Sequence, residues 1–172
     1  VSSVSEKTTT LSLSGLKVLT VDDQPLNNLV VEGLMRYAGV PVRVAGSGAE
    51  AVSLLENEAF DLVLMDVHME GMSGLEATRR IRQLKQIRQP LIFGLSASVM
   101  EEDQQRGLDV GMDTYLMKPF KLDDLFEALS GYRERLSTLN AVSLMSRSDS
   151  EPALPNKESE SFSLLGCHRK CL

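Results

Sequence analysis

Tryptophan is missing from this chain, and its only two cysteines, Cys167 and Cys171, fall in the last six of 172 residues. No disulfide framework holds the body together, and a reducing compartment fits. No apolar run approaches the ~20 residues that a bilayer-crossing helix needs. The serine- and threonine-rich start lacks the basic and apolar regions of a signal peptide, so the expected location is cytoplasmic, with no membrane contact by this segment. At 42% apolar and 24% charged residues, the composition also excludes collagen, coiled coil and wholesale disorder.

An excess of positive charge is absent too. Residues 16 to 133 hold 12 Lys and Arg against 18 Asp and Glu, while the stretches on either side sum to zero, so the whole net charge of −6 belongs to one segment. A nucleic-acid binder needs a basic face for phosphate contacts; this segment has the wrong sign, apart from a local strip at Arg79, Arg80 and Arg82. No nucleic-acid partner is expected.

Both ends read as linker. The first 15 residues contain eight Ser or Thr, and the chain beyond Arg135 carries eight Ser and two Pro among scattered charges, too polar to bury a core. Residues 1–15 are therefore expected to be disordered and 134–172 to form a flexible Ser-rich tail. Within that tail Cys167, His168 and Cys171 lack a fourth metal ligand and any folded support. The start at Val1 and the neutral ends suggest a domain cut from a longer protein.

Between the tails, apolar pattern alternates in type. Short runs rich in Val, Ile and Leu at Leu16–Val21, Pro41–Val44, Leu62–Met65, Leu91–Leu95 and Thr114–Met117 are too brief for helices and suit buried strands. Amphipathic segments separate them at Pro25–Ala38, Gly48–Asn57, Ser73–Leu84, Val99–Val110 and Lys121–Arg133. Pro25 suits a first helical turn, Ser98 with Glu101 forms a capping box, and Gly39 and Gly111 stand where helices should end. Five strand-then-helix repeats imply right-handed crossovers and one doubly wound, five-stranded parallel sheet with five helices, an α/β architecture of flavodoxin-like type with strand order 2-1-3-4-5. In such a sheet a site is expected beyond the C-terminal strand ends, near the switch point.

That rule selects Asp22 and Asp23 after the first strand, Asp66 after the third, Ser96 after the fourth and Lys118 after the fifth. Two like charges about 4 Å apart repel by roughly 4 kcal/mol at an effective dielectric near 20, and total stability is only ~5–15 kcal/mol. One lysine cannot offset three carboxylates. The cluster asks for a divalent cation, and an all-oxygen set suits Mg²⁺ or Mn²⁺ better than zinc. Cation, lysine, hydroxyl and carboxylate together suit phosphoryl transfer, with Asp66 as the nucleophile because it ends the most continuous buried strand beside the loop Gly71–Gly74. His68 reads as an exposed loop histidine, since an ionised Asp nucleophile needs no general base.

The segments Val21-Asp22-Asp23, Leu64-Met65-Asp66-Val67-His68-Met69, Leu95-Ser96-Ala97 and Met117-Lys118-Pro119-Phe120 resemble, in order and spacing, the receiver domain of two-component response regulators, over about residues 16 to 133. Asp22 to Asn27 and Gly74 to Arg82 look most like receivers attached to hybrid sensor histidine kinases. The resemblance implies that Asp66 takes a phosphoryl group from the phosphohistidine of a kinase or phosphotransfer protein. It implies Mg²⁺ held by Asp23, Asp66, the carbonyl of His68 and, through water, Asp22. It assigns Ser96 and Lys118 to the phosphoryl oxygens, makes Tyr115 an aromatic switch that turns inward with Ser96, and makes Lys118–Pro119 a cis peptide. For Tyr115, plain edge-strand packing is the competing reading. Two departures stand out: Glu70 replaces the Pro usual after Met, and Ser96 replaces the commoner Thr. Rival readings are a stand-alone regulator, a binding module that has lost phosphorylation, and a metal-dependent aspartyl-phosphate phosphatase, which usually has a second Asp where His68 stands. The tail has no room for a kinase segment, a DNA-binding helix pair or a phosphotransfer bundle.

Overall fold

Strands and helices alternate along the chain as β1 (Val18–Val21), α1 (Pro25–Tyr37), β2 (Val42–Ala45), α2 (Gly48–Asn57), β3 (Leu62–Asp66), α3 (Gly74–Gln83), β4 (Leu91–Ser96), α4 (Glu101–Val110), β5 (Thr114–Met117) and α5 (Leu122–Ser130). The structure is a computed structural model and describes residues 15–98, 101–132 and 134–136. The five strands form one parallel sheet in the order β2-β1-β3-β4-β5. Among the described residues, no helix is long and apolar enough to cross a membrane.

Period-2 alternation splits the core into two halves. Leu62, Leu64, Leu91, Phe93 and Leu95 face the side covered by α1 and α5, where Val31, Met35, Leu125 and Leu129 meet them. Val63, Met65 and Ile92 face the other side with Ala51, Leu55, Ala77 and Ile81 of α2 and α3. Because successive side chains point to opposite faces and both are covered, the central strands carry unbroken apolar runs.

Local chemistry sets the boundaries. Pro25 occupies the first turn of α1, where its missing N–H costs nothing. The Ser47 and Ser73 hydroxyls cap α2 and α3 by accepting from the N–H groups of Glu50 and Glu76 at 3.2 and 3.3 Å. Gly39 and Gly111 follow α1 and α4 with φ of 71° and 103°, the left-handed conformation that glycine adopts without penalty. The capping box expected at Ser98 and Glu101 involves Val99 and Met100, outside the described residues, as do the Cys167–Cys171 segment, residues 1–14 and residues 137–172.

Several ends differ from the expectation. β2 begins at Val42 because Pro41 has no N–H to give a ladder. β3 and β4 each run one residue further, to Asp66 and Ser96, since Asp66 pairs with Leu95 and Ser96 with Met117 across the sheet. α5 stops at Ser130 before Gly131. Beyond it, residues 134–136 make a further helical turn and Leu136 is buried against the α1–α5 half of the core.

The N-terminal end of the sheet is held by arginines. Asp61, fully buried just before β3, accepts from the Lys17 N–H at 2.8 Å and pairs with Arg88. Asp113, just before β5, binds Arg82 and Arg135, each at 2.8 Å, and accepts the Ile92 N–H at 2.8 Å. Arg82 also donates to the carbonyls of Gly111 and Pro90 at 2.8 Å. The basic strip noted at Arg79, Arg80 and Arg82 is thereby dissolved, for Arg79 and Arg80 both pair with Glu76.

Candidate functional site

The five residues selected by the strand-end rule converge at the C-terminal edge of the sheet. Asp22 leaves β1 with 2% of its surface exposed, Asp66 closes β3 at 6%, and Asp23 is half-buried beside them. Asp22, Asp23 and Asp66 each bring a carboxylate oxygen within 4.8 Å of the others. Lys118 follows β5 across a cis bond to Pro119, as the resemblance implies, and its Nζ lies 2.5 Å from Asp22 Oδ2 and 3.2 Å from Asp66 Oδ2. A cavity of about 920 Å³ opens over the group, bordered by Asp23, His68, Glu70, Val30, Leu34 and Phe120.

The carboxylates are held unequally. Asp22 Oδ1 accepts from the Gln24 N–H at 2.9 Å and from Asn27 at 3.1 Å, and its Oδ2 takes Asn27 at 3.1 Å besides Lys118. Its acceptor capacity is largely spent. Among the described residues, Asp23 uses only Oδ2, on the Glu70 N–H at 2.8 Å. Asp66 Oδ1 accepts from the His68 N–H at 3.2 Å. Burial pushes the Asp66 carboxyl above its ordinary range, with the charge and hydrogen bond of Lys118 pulling the other way.

Two backbone approaches fix the loops. A Cβ on Gly74 would stand 2.0 Å from the Asp66 carbonyl oxygen, so only glycine lets α3 start against the end of β3. Asn28, 4% exposed, donates to the carbonyls of Asp22 at 2.7 Å and Ala45 at 3.3 Å and accepts from Thr20 Oγ1 at 3.2 Å, pinning the turn that carries both acids.

Ser96 and Tyr115 are placed differently from the acids. The buried Ser96 hydroxyl donates to the Ser98 carbonyl at 2.6 Å and accepts the Ser98 N–H at 3.3 Å, so it is engaged within its own loop. Tyr115 leans over Gly94 and reaches α4, where its Oη donates to the Asp103 carbonyl at 2.9 Å and fills the space left by Gly107. Burial, and next the charge of Asp103, raise the Tyr115 phenol above its usual range. His68 is exposed at the cavity rim. Sequence reasoning overlooked Asn27, Asn28 and the N–H groups of Gln24 and Glu70. Asn28 left a trace: it occupies an inward position of α1 with Val31 and Met35, at the spacing i, i+3, i+7 where apolar residues belong.

The response regulator receiver domain model matches residues 18–130. The chain belongs to this family. The receiver is 37% identical over 126 residues to the sensor histidine kinase RcsC of Salmonella typhi, a match covering 73% of this chain and 13% of that one. The chain thus corresponds to a small part of the length of such relatives. Among solved structures it is similar to the receiver domain of sensor histidine kinase PA1611 of Pseudomonas aeruginosa PAO1, which has a magnesium ion coordinated in its active-site cleft, with 35% identity and a TM-score of 0.62 over 67% of this chain and 95% of that one. It is also similar to the receiver domain of Ssk1 of Saccharomyces cerevisiae, solved with the histidine phosphotransfer protein Ypd1, with 28% identity and a TM-score of 0.60 over 64% of this chain and 83% of that chain.

The donor set here fits a hard divalent cation. All side-chain groups are carboxylate oxygens, Asp23 Oδ1 has no hydrogen bond among the described residues, and Lys118 leaves two of three negative charges uncompensated.

Proposed function

We propose that this receiver accepts a phosphoryl group onto Asp66 from a phosphohistidine, as one station of a phosphorelay. The observation that carries this reading is the single ammonium of Lys118 set between Asp22 and Asp66 with Asp23 alongside, which leaves net negative charge in an open cleft. Asp23, Asp66 and the His68 carbonyl would hold Mg²⁺, with Asp22 engaged through water; Mn²⁺ suits the same oxygens. Bound there, the cation supplies charge neutralisation for the phosphoryl oxygens.

The chain's own groups do the rest. An Asp66 oxygen attacks phosphorus, the P–N bond to the donor imidazole breaks, and its electron pair stays on that nitrogen. Lys118, already 3.2 Å from Asp66 Oδ2, neutralises a phosphoryl oxygen. Ser96 donates to another after giving up its bond to the Ser98 carbonyl, and Tyr115 is the group whose packing over β4 responds. Leu26, Leu29 and Val30 lie exposed on α1, and Val30 borders the cavity, which gives a docked donor an apolar footing next to Asp66. The sensor kinase relatives support placing the segment within a hybrid histidine kinase acting at the cytoplasmic side.

Incubation with Mg²⁺ and a small phosphodonor, followed by intact mass, tests the reading. The expected result is the mass of one phosphoryl group on the wild type and none on Asp66→Asn; no addition, or equal addition to both, overturns it.

A further inference from the structure

The loop between β3 and α3 carries one contact that the proposed chemistry does not use. The Glu70 main-chain N–H donates to Asp23 Oδ2 at 2.8 Å, joining this loop to the β1–α1 loop 47 residues away in sequence. Its direction is set on both sides. Met69, just before, is buried in the α2–α3 half of the core, and Gly71, just after, turns the chain with φ of 75°. The loop is closed further on by the Gly74 N–H, which donates to the Val67 carbonyl at 3.1 Å. An anchored residue, a left-handed turn and a closed loop together aim one N–H at one carboxylate oxygen.

We propose that the Glu70 N–H is a positioning group: by strapping Asp23 to the β3–α3 loop it presets the separation of Asp23 from Asp66, so that a divalent cation meets a ligand pair already ordered. The bond takes Oδ2 and, among the described residues, leaves Oδ1 without a hydrogen bond. Ordering a flexible carboxylate beforehand removes a cost that the cation otherwise bears on binding. The role belongs to the backbone, so the only side chain that abolishes it is proline, the residue usual at this position in the family. The Glu70 carboxylate itself is exposed and contributes a separate, salt-screened attraction.

The inference rests on the cation reading above, and the test separates the two. Mg²⁺ affinity is measured by calorimetry and by Mg²⁺-dependent thermal shift on the full chain, for wild type, Glu70→Ala and Glu70→Pro, at high ionic strength. Alanine removes the charge and keeps the N–H; proline removes both. The expected result is binding several-fold weaker in Glu70→Pro than in Glu70→Ala. Equal affinities in the two variants overturn the strap, and a wild type that takes up no Mg²⁺ overturns the cation reading and the strap with it. A second measurement needs no proline variant to fold: amide hydrogen exchange in metal-free protein. The Glu70 amide is expected to be protected in wild type and to lose that protection in Asp23→Ala, whereas equal exchange in both overturns the proposal.

Discussion

The two ends of one sheet treat their acids in opposite ways. At the N-terminal end Asp61 and Asp113 face Arg88, Arg82 and Arg135, and main-chain N–H groups of Lys17 and Ile92 take up further lone pairs. At the C-terminal end Asp22, Asp23 and Asp66 face Lys118 alone among the ion pairs of the described residues. Guanidinium groups with fixed, planar donors close the first end permanently. The second is left short of positive charge, and a lone lysine on a flexible stem spans two of its acids. A buried acid that is fully partnered holds elements together; one left under-compensated is available to a soluble cation and to a reagent. The difference lies in the partners and not in the residue type.

The largest expected effect comes from opening the closed end. Asp113→Ala removes the partner of Arg82 and Arg135 and leaves the Ile92 N–H without its acceptor; it is expected to cost about 3 kcal/mol, the low end for a buried pair because Arg82 is 21% exposed, with the orphaned amide adding to the loss. Denaturant unfolding measures it, while the Mg²⁺-linked increase in stability should stay as in wild type. A change in that increase would mean the two ends are not independent.

Opening the other end has smaller and Mg²⁺-dependent effects. Lys118→Met leaves three acids without an ammonium, and is expected to lower stability in chelator by ~2 kcal/mol, less than a fully buried pair because Lys118 is 20% exposed. Added Mg²⁺ should recover more stability in this variant than in wild type. Asp66→Asn works in the opposite direction. Burial raises the Asp66 carboxyl in the folded state, so its ionisation opposes folding: the favourable contribution is complete below the ordinary carboxylate range and is lost as pH rises through the raised value. The variant is expected to be more stable than wild type by ~1 kcal/mol at neutral pH without metal. The gain should vanish on acidification below the ordinary carboxylate range, and a gain independent of pH would assign it to packing instead of charge.

What the sequence conveyed, and what it withheld, follows the same physics. Apolar runs of strand length alternating with amphipathic segments identify the layers, and the strand-end rule places Asp22, Asp23, Asp66, Ser96 and Lys118 together, because both depend on local pattern and topology. Strand lengths missed by one residue at Asp66 and Ser96 because a ladder ends where its neighbour does, and Leu95 and Met117 are far away in sequence. The Arg79–Arg82 strip looked like one basic face, yet Arg82 is drawn inward by Gly111, Pro90 and Asp113, partners that no local window contains. The N–H groups of Gln24 and Glu70 carry no residue signature at all, so the way the acids are held was illegible even where the acids themselves were plain.

The smallest expected change in stability comes from the exposed rim of the open end, and it asks whether that end is built for a protein donor. Val30 is 55% exposed on α1 and borders the cavity above Asp66, so replacing it touches neither the core nor an ion pair. Val30→Asp is expected to shift stability by no more than about 0.5 kcal/mol, as surface substitutions do. On the proposed chemistry, phosphorylation by a small donor uses the carboxylates, Lys118, Ser96 and the cation, and in this variant it should proceed at the wild-type rate. If the exposed α1 face seats the donor as proposed, transfer from a phosphohistidine protein also uses an apolar contact beside Asp66, and a charge there should slow it several-fold. Measuring both rates in one variant separates the chemistry from the docking. Equal slowing of the two would place Val30 in the chemistry, and no slowing of either would leave the α1 rim without a part in donor contact.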